Sequence, residues 1–70
     1  MFRPKISVMY INKRNELHVS FTAKHIPDDY YNKDKFVEFV TLSGDVIVIG
    51  RVVRKTKRGV NLTAWKIYEP

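Results

Sequence analysis

Cysteine is absent from this sequence, which excludes disulfide bonds and thiolate chemistry. No apolar run approaches the roughly 20 residues that a membrane-spanning helix requires. The first residues, MFRPKISV, also lack the apolar core of a secretory signal peptide. These absences predict an intracellular, cytoplasmic protein that has no membrane partner.

The side-chain patterns of common catalytic and metal sites are missing as well. There is no glycine-rich phosphate loop, and His18 and His25 have no cysteine to complete a zinc site. The carboxylates of Asp28 and Asp29 suit the positive end of a short helical turn better than a metal site. We therefore expect no enzymatic activity, no bound metal and no cofactor.

Acidic residues are missing from one part of the chain only. Residues 46–68 contain six Lys or Arg and no Asp or Glu, whereas residues 1–45 contain seven Lys or Arg and six Asp or Glu. The net charge of +6 is therefore concentrated in the last third of the chain. A localised basic segment is typical of a surface that meets a polyanion, although a solvated hairpin tip without a partner would look the same.

What remains is a succession of short apolar segments typical of β-strands. Residues 16–22 alternate cleanly, with Leu17, Val19 and Phe21 on one face. The other predicted strands span residues 5–11, 35–42, 46–55 and 60–69. The fourth has apolar residues on both faces, which predicts that both faces are covered over part of its length.

Seventy residues make a single domain, residues 1–70, and five short strands in one small domain favour a barrel. Pro27, Asp28 and Asp29 predict one short helical or 3-10 turn between residues 27 and 35. This insert falls between the second and third strands, whereas an OB-fold places its helix between the third and fourth. The sequence therefore favours an SH3-like meander over an OB-like barrel.

The basic segment is predicted to form the hairpin between the fourth and fifth strands. A three-residue loop, Lys57-Arg58-Gly59, with Gly59 in a left-handed conformation would place Arg51 opposite Trp65. A four-residue loop would instead place Trp65 over Gly50. In a regular strand Arg51 and Arg54 point to opposite faces.

These features predict a small nucleic-acid-binding protein whose phosphate contacts are mainly independent of sequence. The predicted phosphate-binding residues are Arg51, Arg54, Lys55, Lys57, Arg58 and Lys66. Trp65 is predicted to stack on a base, although as a core residue it would have no such role. The alternative is a protein-interaction module that binds an acidic protein through the same hairpin or through an exposed strand edge. The sequence does not decide whether the nucleic acid is DNA or RNA, or whether the protein is a monomer or a homodimer.

Overall fold

The computed structural model describes residues 4–69, and its regular elements are strands with one short helical turn. The strands are β1 (Lys5–Ile11), β2 (Leu17–Phe21), β3 (Phe36–Thr41), β4 (Ile47–Lys55) and β5 (Gly59–Tyr68). A 3-10 turn, Asp28–Tyr31, connects β2 to β3. The prediction of an all-β chain with five strands and one helical turn within residues 27–35 is confirmed. Within residues 4–69, no helix has the length and apolar character needed to cross a membrane.

The strands close into a ring in the order β1-β2-β5-β4-β3. Four of the pairings are antiparallel, and the ring is completed by a parallel contact of β1 with β3. That contact joins only Lys5 to Val40 and Ile6 to Thr41. Beyond Ile6, β1 pairs with β2 alone, so one edge of β1 stays open within the described part of the chain.

The core lies inside the ring and follows the alternation that the sequence predicts. Leu17, Val19 and Phe21 of β2 are all buried, and the ring of Phe21 stacks on Phe39 at a centroid distance of 4.9 Å. The remaining core residues are Ile6, Val37, Val48, Val52, Val60 and Leu62. Tyr30 and Tyr31 of the 3-10 turn are half-buried against this core.

The outer face of β4 is less completely covered than its inner face, although the sequence predicts that both faces are covered over part of the strand's length. Val48 and Val52 point inward and are fully buried, whereas Ile47 and Ile49 on the outer face are only half-buried. An inward side chain packs against the other inward side chains of the ring, whereas an outward side chain is covered only by its cross-strand neighbours. The sheet formed by β3, β4 and β5 therefore keeps a partly apolar outer surface.

Two bulges interrupt the pairing of β4 with β5. Val53 is an extra residue on β4, since Val52 pairs with Leu62 while Arg54 pairs with Asn61. Ala64 and Trp65 lie opposite the single residue Gly50, and Ala64 has a φ of 53°, in the left-handed region. Each bulge shifts the register by one residue, and the two shifts compensate each other.

Candidate nucleic-acid interface

In the basic hairpin, residues 51–58, four residues separate the paired residues Lys55 and Val60 rather than the predicted three, and the last of these four, Gly59, is also the first residue of β5. Lys55 pairs with Val60, and Thr56 and Gly59 close the loop through two hydrogen bonds. The amide of Thr56 donates to the carbonyl of Gly59 at 3.0 Å, and the amide of Gly59 donates to Oγ1 of Thr56 at 3.0 Å. Because the side chain of Thr56 accepts this bond, the loop closes without a left-handed residue. The prediction of a left-handed Gly59 is therefore wrong, since the only positive-φ glycine among the described residues is Gly44.

Gly59 is needed for a different reason, the close approach of the hairpin tip to β2. A Cβ atom on Gly59 would collide with the carbonyl oxygen of Val19 and would lie 2.9 Å from the Cα of Ser20. Next to this contact, the amide of Phe21 donates to the carbonyl of Arg58 at 2.9 Å. The tip that carries Lys57 and Arg58 is therefore fixed to the body of the protein at its base.

The predicted pairing of Arg51 with Trp65 is also wrong, because Lys55 rather than Thr56 pairs with Val60 and because the bulge at Val53 shifts the register by one further residue. Arg51 lies opposite Thr63, and Trp65 is half-buried against the core. In the four-residue alternative Trp65 covers Gly50, and Trp65 does lie opposite Gly50, although it shares this position with Ala64 in the bulge. A Cβ on Gly50 would lie 2.7 Å from Cδ1 of Leu62. A sequence pattern does not reveal this bulge, since alanine rarely adopts a left-handed conformation.

The other bulge places Arg51 and Arg54 on the same face rather than on opposite faces. Val53 is the extra residue between them, so both arginines point outward and are exposed. Both also have acidic partners that are distant in sequence. Nη2 of Arg51 lies 2.7 Å from Oδ1 of Asp34, and Nη2 of Arg54 lies 3.7 Å from Oε2 of Glu16.

The remaining cations of the predicted site have no acidic partner within 4.0 Å among residues 4–69. Nζ of Lys55 lies 4.5 Å from the centroid of the Tyr31 ring, a cation–π contact. Lys57 and Arg58 are exposed at the tip, and Lys66 is exposed on β5. The structure therefore separates two ion-paired arginines from four basic side chains that have no acidic partner within 4.0 Å in the described part of the chain.

A hydrogen-bonded Ser–His–Asn chain on the outer side of β2 was not predicted from the sequence. Nδ1 of His18 lies 2.8 Å from Oδ1 of Asn61, and Nε2 of His18 lies 2.9 Å from Oγ of Ser20. The order resembles a nucleophile, a base and an orienting group. Ser20 is only 6% exposed, so a substrate cannot reach its hydroxyl in this conformation. We interpret the chain as a polar tie between β2 and β5; the only sequence signal was the His-x-Ser spacing on one strand face.

Comparison with protein-family models, with curated proteins and with solved structures returns no significant match. Within the described residues, no group of three His, Cys, Asp or Glu side chains lies close enough together to hold a metal ion.

Proposed function

We propose that this protein binds nucleic acid through phosphate contacts of the basic hairpin and that this binding is mainly independent of base sequence. The observation that carries the proposal is the tip at Lys57 and Arg58. Both side chains are exposed without an acidic partner in the described chain, while the backbone beneath them is anchored to β2. Two cations held at a fixed position lose less freedom on meeting a phosphate backbone than two on a loose loop.

We also propose that the ring is an SH3-like rather than an OB-like arrangement. The support is the position of the 3-10 turn between β2 and β3 and the antiparallel pairing of the consecutive strands β3, β4 and β5. This assignment carries no functional weight, because such folds host many activities.

The salt dependence of binding tests the functional proposal. Four cations of the predicted site lack an acidic partner within 4.0 Å among residues 4–69: Lys55, Lys57, Arg58 and Lys66. If all four neutralise phosphates, log K against log salt has a slope of about −3 to −4, at roughly 0.7–0.9 per phosphate. The double variant Lys57→Ala/Arg58→Ala reduces the magnitude of this slope by up to about two, and it weakens binding to all base sequences alike.

The other turn of the protein provides a matched control. Lys13 and Arg14 are adjacent, exposed cations in the turn between β1 and β2, and the double variant Lys13→Ala/Arg14→Ala removes the same charge. Fluorescence anisotropy of labelled random-sequence oligonucleotides at several salt concentrations measures both variants. Equal losses in both would show that only total charge matters, and an absence of wild-type binding at low salt would refute the proposal.

A second candidate function, binding of a protein by strand addition, is favoured by the open edge of β1. Four consecutive residues of β1 are exposed and uncharged: Val8, Met9, Tyr10 and Ile11. A neutral, apolar edge favours pairing with a strand of another protein, and it offers no cationic side chain to a phosphate. Val8→Lys would block strand addition without changing the phosphate contacts, so it separates the two functions.

A further inference from the structure

The outer face of the β3-β4-β5 sheet forms a regular grid of nine side chains. Cross-strand partners point to the same side of a sheet, so the pairing of the three strands defines three rows. The rows are Phe36-Arg51-Thr63, Glu38-Ile49-Lys66 and Val40-Ile47-Tyr68. This grid is called the platform below.

Two aromatic rings on the platform are unusually exposed. Phe36 is 60% exposed and Tyr68 is 50% exposed, although both lie on strands of the ring. They share a shallow depression of about 390 Å³, which is also lined by Ile49, Ala64 and Lys66. An apolar floor between two exposed rings, with one ammonium group at its side, suits a flat group that carries negative charge nearby.

The charges around the platform separate the roles of its residues. Arg51 is paired with Asp34, and Glu38 is the only carboxylate in the grid, so the platform itself is close to neutral. Two of its three strands, β4 and β5, nevertheless belong to the acid-free segment, and their hairpin carries the unbalanced cations. Negative phosphates are therefore attracted to the hairpin and to Lys66, while uncharged groups fit the platform.

From this geometry we propose that the platform is a nucleobase-stacking site for single-stranded nucleic acid, with Phe36 and Tyr68 as the stacking residues. This inference rests on the proposed function and names its ligand class and its second contact surface. A single strand is required because the bases of a duplex present only their edges to a protein. Trp65 is replaced in this role, because the bulge at Ala64 places it against the core.

The test compares Tyr68 on the platform with Tyr10 on β1, which is exposed to a similar extent but lies outside the platform. Tyr68→Ala and Phe36→Ala should each weaken binding of a labelled oligothymidylate of about 15 nucleotides by about 5- to 150-fold, the usual effect of losing one base stack. Tyr10 on β1 is 53% exposed but lies outside the platform, and Tyr10→Ala should leave affinity unchanged. Phe36→Tyr and Tyr68→Phe keep the rings and should retain binding, which guards against a variant that merely unfolds.

Two further measurements identify stacking as the cause. The salt slope of Tyr68→Ala should equal that of the wild type, since stacking releases no counterions. A strand of equal length without bases should bind more weakly than the oligothymidylate and should not distinguish Tyr68→Ala from the wild type.

Failure of this inference differs from failure of the proposed function. If the wild type binds with a hairpin-dependent slope but Phe36→Ala and Tyr68→Ala behave like Tyr10→Ala, bases do not stack on the platform. Tighter binding of a duplex than of the single strand would also overturn the inference. If the wild type binds no oligonucleotide at low salt, the proposed function and this inference both fail.

Discussion

The two turns that end the β1-β2 and β4-β5 hairpins each carry two adjacent cations, but the settings of these cations differ. Lys13 and Arg14 closely precede Glu16 in the chain, and the Glu16 carboxylate accepts a hydrogen bond from Asn12 at 3.0 Å and lies 3.7 Å from Nη2 of Arg54. Lys57 and Arg58 have no such acid, and their backbone is joined to another strand by the amide of Phe21. The two turns therefore differ as candidate phosphate sites although each has two cations. A nearby acid can offset the charge of a cation, and an anchored backbone holds a cation in place for a phosphate.

The largest effect that sharpens this comparison should come from Gly59→Ala. The added methyl group meets the backbone of Val19 and Ser20, which cannot move aside as a flexible side chain can. We expect the free energy of unfolding to fall by about 3 kcal/mol, at the upper end of overpacking costs. Urea denaturation followed by tryptophan fluorescence measures the change.

Gly44→Ala is the control for Gly59→Ala. Gly44 has a φ of 79° and open space around its Cβ position, so alanine there should cost only about 1–2 kcal/mol through backbone strain. A Gly59→Ala protein as stable as Gly44→Ala would show that the hairpin tip is not tightly packed on β2.

The sequence predicted the strands well because their signal is local. Alternation in β2 and the Pro27-Asp28-Asp29 start of the 3-10 turn each depend on a few neighbouring residues. Ion pairs such as Arg51–Asp34 join residues that are 17 positions apart, so they become visible only once the ring has closed.

The faces of the site residues were harder to predict than the strands that carry them. One extra residue, Val53, turns Arg54 to the same side as Arg51, and the left-handed Ala64 turns Trp65 toward the core. A bulge shifts every residue beyond it, so a correct strand prediction still gave the wrong partner for Arg51. Neither bulge residue is a glycine, which removed the usual sequence signal.

A smaller change in the unfolding free energy should distinguish the side-chain hydrogen bonds that close the two turns. Oδ1 of Asn12 accepts the amides of Arg14 and Glu16 at 2.9 and 3.0 Å, whereas Oγ1 of Thr56 accepts only the amide of Gly59. Asn12→Ala should therefore cost about 1–2 kcal/mol of unfolding free energy, and Thr56→Ala about 1 kcal/mol or less.

Thermal and urea unfolding of both turn variants give the two values under the same conditions. Asn15→Gly is a useful companion, since Asn15 has a φ of 59° and glycine should be accepted there with little change in stability. A larger loss for Thr56→Ala than for Asn12→Ala would reverse the predicted order of the two turns.

The smallest effect on stability, and a direct test of whether Glu16 withholds Arg54 from the phosphate site, should come from Glu16→Gln. The amide keeps an oxygen for the hydrogen bond from Asn12 but removes the charge 3.7 Å from Nη2 of Arg54. Since the arginine side chain is 48% exposed, the loss of this ion pair should change the unfolding free energy by less than about 1 kcal/mol. Arg54 then becomes available to phosphate, so the salt slope of oligonucleotide binding should steepen by up to about one unit, with tighter binding at low salt. Asp45→Asn removes an exposed carboxylate at the other end of β4 and makes the same change in net charge. If the two variants bind with equal slopes, Arg54 does not meet phosphate even without its ion pair to Glu16.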